Sequence, residues 1–88
     1  MAGVLNEKRS FPFMDRGYIN DANSTLEAGA YRCHAGATNV PNSYGTVIVF
    51  FATNNVVQIY IPSHNLSISP NWRSKSSSQD IWSDWKSF

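Results

Sequence analysis

The stretch 46-TVIVFFATNNVVQIYI-61 decides the fold. Its first half, residues 46–52, is β-branched and aromatic, which is the composition of a strand buried on both faces. The polar residues 53–55 form a tight turn, and a second apolar run follows at residues 56–61. Because only this short turn separates the two runs, the stretch predicts an antiparallel β-hairpin.

The second strand of this hairpin alternates in a way that assigns its two faces. We expect Val57, Ile59 and Ile61 to point into the core, with Gln58 and Tyr60 on the opposite face. Gln58 lies midway along an apolar strand, so its amide should have a buried partner such as a backbone group of a loop.

Shorter strands are expected on both sides of the hairpin, separated by turn-forming residues. Residues 1–17 carry charge and little periodicity, and we interpret them as an N-terminal arm or short helix. Residues 18–88 then form one all-β domain, mainly antiparallel, of about five short strands. The further strands are expected at residues 30–34, at 66–69 with 71–75, and at 81–86, and residues 35–45 form a long loop.

The chain closes on an aromatic strand that contains Trp82 and Trp85. A spacing of three places the two rings on opposite faces of a regular strand, whereas a bulge at residues 83–84 brings both to one side. A terminal segment this aromatic is expected to be held in place or to form a contact surface.

Size and charge limit the classes of function. A chain of 88 residues with one cysteine, Cys33, has a thin core and no disulfide, so oligomerisation is expected to add stability. The net charge of +1 and the scattered charges exclude the basic stripe that nucleic-acid binding needs. The apolar run at residues 47–52 is far shorter than the roughly 20 residues of a membrane span, so no membrane insertion is expected. An unpaired cysteine fits synthesis in a reducing cytoplasm.

Six short elements, in this order, resemble the pyocin knob family, which comprises small β-rich modules of bacteriophage and tailocin tail fibres. The resemblance extends over residues 20–86. The elements are Asp21-x-Asn23, Gly29-x-Tyr31, Asn39-x-Pro41, Gln58-Ile59-Tyr60, Arg73-Ser74 and Trp82-Ser83-x-Trp85, with the apolar strand between the third and the fourth.

The resemblance implies a structural and adhesive module of a phage or prophage tail fibre. It implies a homotrimer around a threefold axis, in contact with other tail-fibre or virion proteins and located in the virion after synthesis in the cytoplasm of the bacterial host. The surface that such a fibre contacts is a bacterial glycan or lipopolysaccharide. A monomeric carbohydrate-binding module that recognises cell-surface glycan is the alternative interpretation.

Aromatic and planar side chains provide the candidate ligand-binding residues. A flat aromatic face with hydrogen-bond donors beside it suits stacking on sugar rings, and Arg73 could bond acidic sugars or lipid phosphates in a bidentate manner. The competing interpretation is packing in the core or between subunits. The candidates are Tyr60, Trp72, Arg73, Trp82 and Trp85.

No catalytic residue, metal or cofactor is predicted, and the chain is not expected to be an enzyme. Cys33 and His34 are neighbours on a strand, so they point to opposite faces and cannot share a proton directly. Asp80 and Asp84 lie in an exposed polar turn, where the fixed separation of two carboxyl groups that a glycosidase pair requires is not expected. His34 and His64 lack an evident third metal ligand.

Overall fold

The structure is a computed structural model that describes residues 14–24, 27–63, 67 and 69–88. Within these residues all strands belong to a single six-stranded sheet, whose strand order follows the chain. Each strand therefore pairs with its neighbour in sequence. The strands are β1 (Asp15–Asp21), β2 (Gly29–Thr38), β3 (Gly45–Phe51), β4 (Asn55–Pro62), β5 (Asn71–Ser76) and β6 (Lys86–Ser87).

The all-β class, mainly antiparallel, is confirmed. Strands β2 to β6 pair antiparallel in succession, and β1 pairs parallel to β2. The described residues contain no helix, and none of them forms a helix long and apolar enough to cross a membrane. The predicted number of about five strands becomes six because β1 was not anticipated.

The central hairpin is confirmed at β3 and β4. Seven residue pairs join the two strands, from Gly45 opposite Pro62 to Phe51 opposite Val56. Ala52 and Asn55 exchange backbone hydrogen bonds of 2.9 and 3.3 Å across the tight turn. The turn-forming residues between the two apolar runs therefore set the register of the strands, as their spacing predicted.

The faces of β4 are the reverse of the prediction. Val56, Gln58 and Tyr60 are buried on the core face, whereas Ile59 is half-buried and Ile61 is exposed on the other side. The reversal is possible because both polar side chains have internal partners. Gln58 Nε2 donates to the carbonyl of Ala22 at 2.8 Å, and the Tyr60 hydroxyl donates to the carbonyl of Tyr44, also at 2.8 Å. The buried backbone partner predicted for Gln58 is thus confirmed.

The core lies on one face of the sheet. Its members are the buried side chains of β1 to β4 and Ala22, with half-buried side chains of the loops and the C-terminal segment packed against them. The buried members are Ile19, Ala22, Tyr31, Cys33, Val47, Val49, Val56 and Tyr60, and the packed ones are Ala37, Val40, Trp82 and Trp85.

The other face, here called the outer face, is also apolar. Ile48 is buried at its centre, paired with Ile59, which in turn pairs with Trp72. Since the described strands make only one sheet and no helix, no second layer of secondary structure covers this face within the described residues. The apolar side chains of the outer face are Ile48, Phe50, Val57, Ile59, Ile61 and Trp72.

Several predicted boundaries were wrong. Residues 35–38 extend β2 instead of beginning the loop, and residues 15–17, interpreted as the end of the N-terminal arm, belong to β1. The closing strand is reduced to an isolated bridge between Lys75 and Trp82 and the two residues of β6. Residues 1–13 of the predicted arm, and Leu66 and Ile68 of the predicted strand 66–69, lie outside the described residues.

Gly29, at the start of β2, has an unusual backbone angle. Its φ is +154°, and a Cβ atom there would lie 2.6 Å from Cγ of Arg16 and 2.7 Å from the carbonyl oxygen of Met14. The glycine allows the parallel strands β1 and β2 to approach closely at this point.

Candidate functional site

Arg73 is the centre of a buried cluster on the core face of the sheet. Its side chain is almost wholly enclosed, with 4% of the residue's surface exposed. The guanidinium carbon lies 4.2 Å from the ring centroid of Trp82 and 4.6 Å from that of Trp85. Both distances are within the range of a cation–π interaction. We call Gln58, Arg73, Trp82 and Trp85 the arginine–tryptophan cluster.

Hydrogen bonds fix the guanidinium in the cluster. Arg73 Nε donates to Gln58 Oε1 at 2.8 Å, and Arg73 Nη2 donates to the carbonyl of Ala22 at 3.0 Å. That carbonyl also accepts the bond from Gln58 Nε2. Among the described residues no buried side-chain nitrogen or oxygen lacks a partner. The cluster therefore buries a charge and an amide with their hydrogen bonds formed.

The charge of Arg73 persists at neutral pH. Burial lowers the pKa of Arg73 to about 10, and the negative charge of Asp21 opposes this shift. The described residues place no carboxylate within 4.0 Å of the guanidinium. The cation is stabilised instead by neutral oxygen acceptors and by the two indole rings.

Two loops are attached to the cluster. Trp85 Nε1 donates to the carbonyl of Asn39 at 3.1 Å, and Asn39 Nδ2 donates to Asp21 Oδ1 at 2.7 Å. The hydrogen bond from Asn39, together with one from the backbone of Asn23, lowers the pKa of Asp21. Asn39 has a φ of +62°, a conformation that asparagine tolerates better than most residues. The C-terminal tryptophans thus hold distant parts of the chain together.

The predicted binding face is divided between the two sides of the sheet. Tyr60 is fully buried and Arg73 nearly so, which leaves neither side chain with a surface for a ligand. Trp82 and Trp85 are half-buried against Arg73, and the Tyr60 and Trp85 rings meet edge to face at 6.4 Å. Trp72 lies on the outer face, because neighbours on a strand point to opposite sides. The five residues do not form one surface, so the interpretation as packing is favoured for all but Trp72.

Trp82 and Trp85 lie on the same side of the sheet. Their segment pairs with β5 only at Trp82 and resumes regular pairing at Lys86. The interrupted pairing lets both rings reach Arg73, so the arrangement predicted for a regular strand was wrong and the alternative with both rings on one side was right.

Trp72 occupies the edge of the outer face nearest the C-terminus. It is half-buried and pairs with Ile59 on β4 and Lys86 on β6. The Lys86 ammonium lies 5.2 Å from the centroid of its ring. This neighbourhood combines an apolar row with one cation at its margin.

A shallow cleft at the other end of the outer face was not predicted. Its polar and aromatic lining, here called the tyrosine cleft, comprises Tyr18, Arg32, His34, Tyr44, Thr46 and Ser63. Arg32 and His34 are two residues apart on β2, so they lie on the same face of the sheet. The sequence pattern did not indicate that they line a cleft. It gave no indication of Tyr18, because β1 is too polar and irregular to read as a strand.

The structure gives no support to the chemistry that adjacent Cys33 and His34 suggest. Cys33 is buried in the core, and burial raises the pKa of its thiol to about 11. His34 points to the outer face, where its ring lies 5.4 Å from that of Tyr18. No three histidine, cysteine, aspartate or glutamate residues of the described ranges are grouped to hold a metal ion, and His64 lies outside those ranges.

The chain matches no known protein family, no curated protein and no solved structure in the comparisons made. The resemblance to the pyocin knob family therefore rests on the residues of the chain and their arrangement.

Proposed function

We propose that this chain is a structural and adhesive module of a bacteriophage or prophage tail fibre. It assembles as a homotrimer with other tail-fibre or virion proteins and contributes to attachment at the bacterial surface. The module has no catalytic task in this proposal, and its place is the virion.

The observation that carries the proposal is the convergence of five of the six resembling elements on or beside one cluster. Asp21 bonds Asn39, whose carbonyl accepts the Trp85 indole, while Gln58 bonds Arg73 beside both tryptophans. These hydrogen bonds join residues of different elements that are up to 46 positions apart in the chain. Their mutual contacts support the family assignment and, through it, the function.

The outer face supports the oligomeric part of the proposal. Within the described residues no second layer covers the outer face, where Ile61 is exposed and Ile59 and Trp72 are half-buried. These side chains retain apolar surface that a further copy of the chain can bury. The net charge of +1 gives little electrostatic repulsion between identical copies. Burial between copies would also supply the stability that the thin core of one chain lacks.

The test is the solution mass of the chain by light scattering behind a sizing column, over a dilution series. A mass three times that of the chain, constant on dilution, is expected. The variant Ile61→Lys places a charge on the outer face, where Ile61 is 40% exposed, and should give a monomer. The matched control Ile81→Lys makes the same change at a side chain that is 75% exposed and outside the outer face, and it should remain trimeric.

Far-UV circular dichroism identifies a variant that fails to fold. A folded monomer of the unaltered chain at all concentrations would contradict the proposal. That result would favour the monomeric carbohydrate-binding module, with Trp72 as the one predicted binding residue on an accessible face.

A further inference from the structure

We propose that the tyrosine cleft binds a sugar that carries a carboxylate. The cleft lies where β1, β2 and β3 meet Ser63, the residue that follows β4, and nothing in the sequence pattern assigned it a role. The proposal that the cleft binds a sugar is argued from the geometry of the cleft alone. Its use as the receptor contact of a fibre rests on the function proposed above.

The first argument is the exposure of two aromatic rings in one small cleft. Tyr18 is 64% exposed and Tyr44 is 45% exposed, although the domain encloses Tyr31 and Tyr60 in its core. Tyrosine presents a flat apolar ring and a hydroxyl, which suits the mixed apolar and polar faces of a pyranose. Packing within the chain accounts for the buried pair and leaves most of the Tyr18 ring in solvent.

The second argument is a positioned guanidinium beside the Tyr18 ring. The guanidinium carbon of Arg32 lies 5.7 Å from the ring centroid, and Arg32 Nη2 donates to Asp15 Oδ2 at 2.8 Å. This exposed ion pair orients Arg32 through a single hydrogen bond from Nη2. The guanidinium has five N–H donors, so the other donors are not used by the ion pair. The remaining donors match a carboxylate in a bidentate manner.

The third argument is a set of groups that can exchange hydrogen bonds with sugar hydroxyls. His34 contacts Tyr18 edge-on, and its Nδ1 lies 2.9 Å from the carbonyl of Ala35. In the neutral ring that bond makes Nδ1 the donor and leaves Nε2 as an acceptor. Thr46 and Ser63 add two hydroxyl groups to the lining. Rings, a cation and hydroxyl partners are thus present within one cleft.

The test is a titration of the ¹⁵N-labelled full chain, followed by amide chemical shifts, with glucuronic acid and, separately, with glucose. Glucuronic acid is expected to shift the amides of the cleft, and glucose to bind there more weakly because it lacks the carboxylate. Perturbation centred instead on Trp72 or on the arginine–tryptophan cluster would overturn the proposal, as would equal affinity for both sugars or no binding of either.

Two variants test whether the Arg32 guanidinium binds the carboxylate of the sugar. Arg32→Gln is expected to weaken glucuronic acid binding about tenfold and to leave glucose binding unchanged, because only the charge-assisted bonds are lost. Asp15→Asn breaks the same ion pair but keeps the guanidinium, so its affinity should equal or exceed that of the unaltered chain. An equal loss in both variants would mean that the ion pair acts only on local structure, and the proposal would fail.

A third variant, Tyr18→Ala, removes the exposed ring and should weaken the binding of both sugars. The solution mass measured on the same samples keeps the two proposals apart. A trimer without sugar binding contradicts only the cleft, and a monomer that binds glucuronic acid contradicts only the fibre assembly.

Discussion

Arg73 and Gln58 are direct cross-strand partners on β5 and β4, and their side chains bond at 2.8 Å inside the core. Both lie on the enclosed face of the sheet, Gln58 fully buried and Arg73 with 4% exposure. A polar pair at the centre of so small a core is costly to bury, and its hydrogen bonds offset that cost only while both members are present. The stability of the domain should therefore depend on these two residues.

Arg73→Ala should destabilise the fold by about 3 kcal/mol, because it leaves Gln58 Oε1 without a donor, removes one of the two donors to the Ala22 carbonyl and removes the cation–π contacts. Urea unfolding followed by circular dichroism measures the change. Arg73→Lys retains the charge but not the planar fork, so we expect a smaller loss of about 2 kcal/mol. The matched control Arg32→Ala removes an exposed arginine and should leave the unfolding midpoint unchanged; an equal shift in both alanine variants would contradict the role of the cluster.

The coupling between Gln58 and Arg73 is open to a double-mutant cycle. Gln58→Leu leaves Arg73 Nε unpaired, and Arg73→Met leaves Gln58 Oε1 unpaired. The double variant removes both of these groups, although the Ala22 carbonyl then loses both side-chain donors, which offsets part of the gain. The double variant should be more stable than the sum of the single losses predicts, with a coupling of about 1–3 kcal/mol. The combination of Gln58→Leu with Arg32→Gln pairs residues on opposite faces and should be additive.

The hairpin of β3 and β4 was predictable because its signal is local, two apolar runs around a short polar turn. The orientation of β4 was not, since apolarity alone favours Ile59 and Ile61 as core residues. What reverses the strand is the pair of carbonyls from Ala22 and Tyr44, each in a loop distant in sequence. A pattern of single residues carries no information about such partners.

The residues of the candidate site were named from the sequence, but all of them were placed on a single face of the sheet, which was wrong. Trp72 and Arg73 are adjacent on a strand, so the alternation that separated Cys33 from His34 also separates them. That rule would have divided the candidate face from the sequence alone. The contacts of Trp82 and Trp85 with Arg73 could not be predicted from the sequence. The two rings reach Arg73 through irregular backbone, which the spacing of residues does not predict.

Trp85 anchors the loop after β2 through one indole hydrogen bond to Asn39. Trp85→Phe keeps an aromatic ring near Arg73 but loses that bond, so we expect a loss of about 1 kcal/mol. Amide hydrogen exchange should also become faster in residues 39–44. Trp72→Phe is the matched control on the outer face, and it should leave exchange in this loop unchanged.

Gly29→Ala tests the close approach of β1 to β2. The new methyl would meet the Met14 carbonyl oxygen at 2.7 Å and Cγ of Arg16 at 2.6 Å, in addition to the strain of a φ of +154°. We expect a loss of about 2–3 kcal/mol in urea unfolding. Gly36→Ala has a φ of +93° with no atom within 4 Å, so it reports the backbone strain alone. If the two variants lose the same stability, the contact with β1 contributes nothing.

The reactivity of Cys33 tests its burial. Because desolvation raises the pKa of the folded thiol from 9.0 to about 11, the folded chain holds its proton through the range in which an unfolded thiol ionises. At pH 8.5 alkylation by iodoacetamide should be roughly fifty- to a hundredfold slower for the folded chain than for the chain in urea, from the thiolate fractions alone.

The shape of the pH dependence distinguishes a raised thiol pKa from simple steric protection of the thiol. The folded rate should rise about tenfold per pH unit from pH 8 to 10, whereas the rate in urea levels off near pH 9. The raised pKa also means that the contribution of the protonated thiol to stability is complete below pH 9.0 and is lost as the pH rises toward about 11. A folded rate that levels off near pH 9 would show that the thiol ionises at its ordinary pKa and would contradict its desolvation in the core.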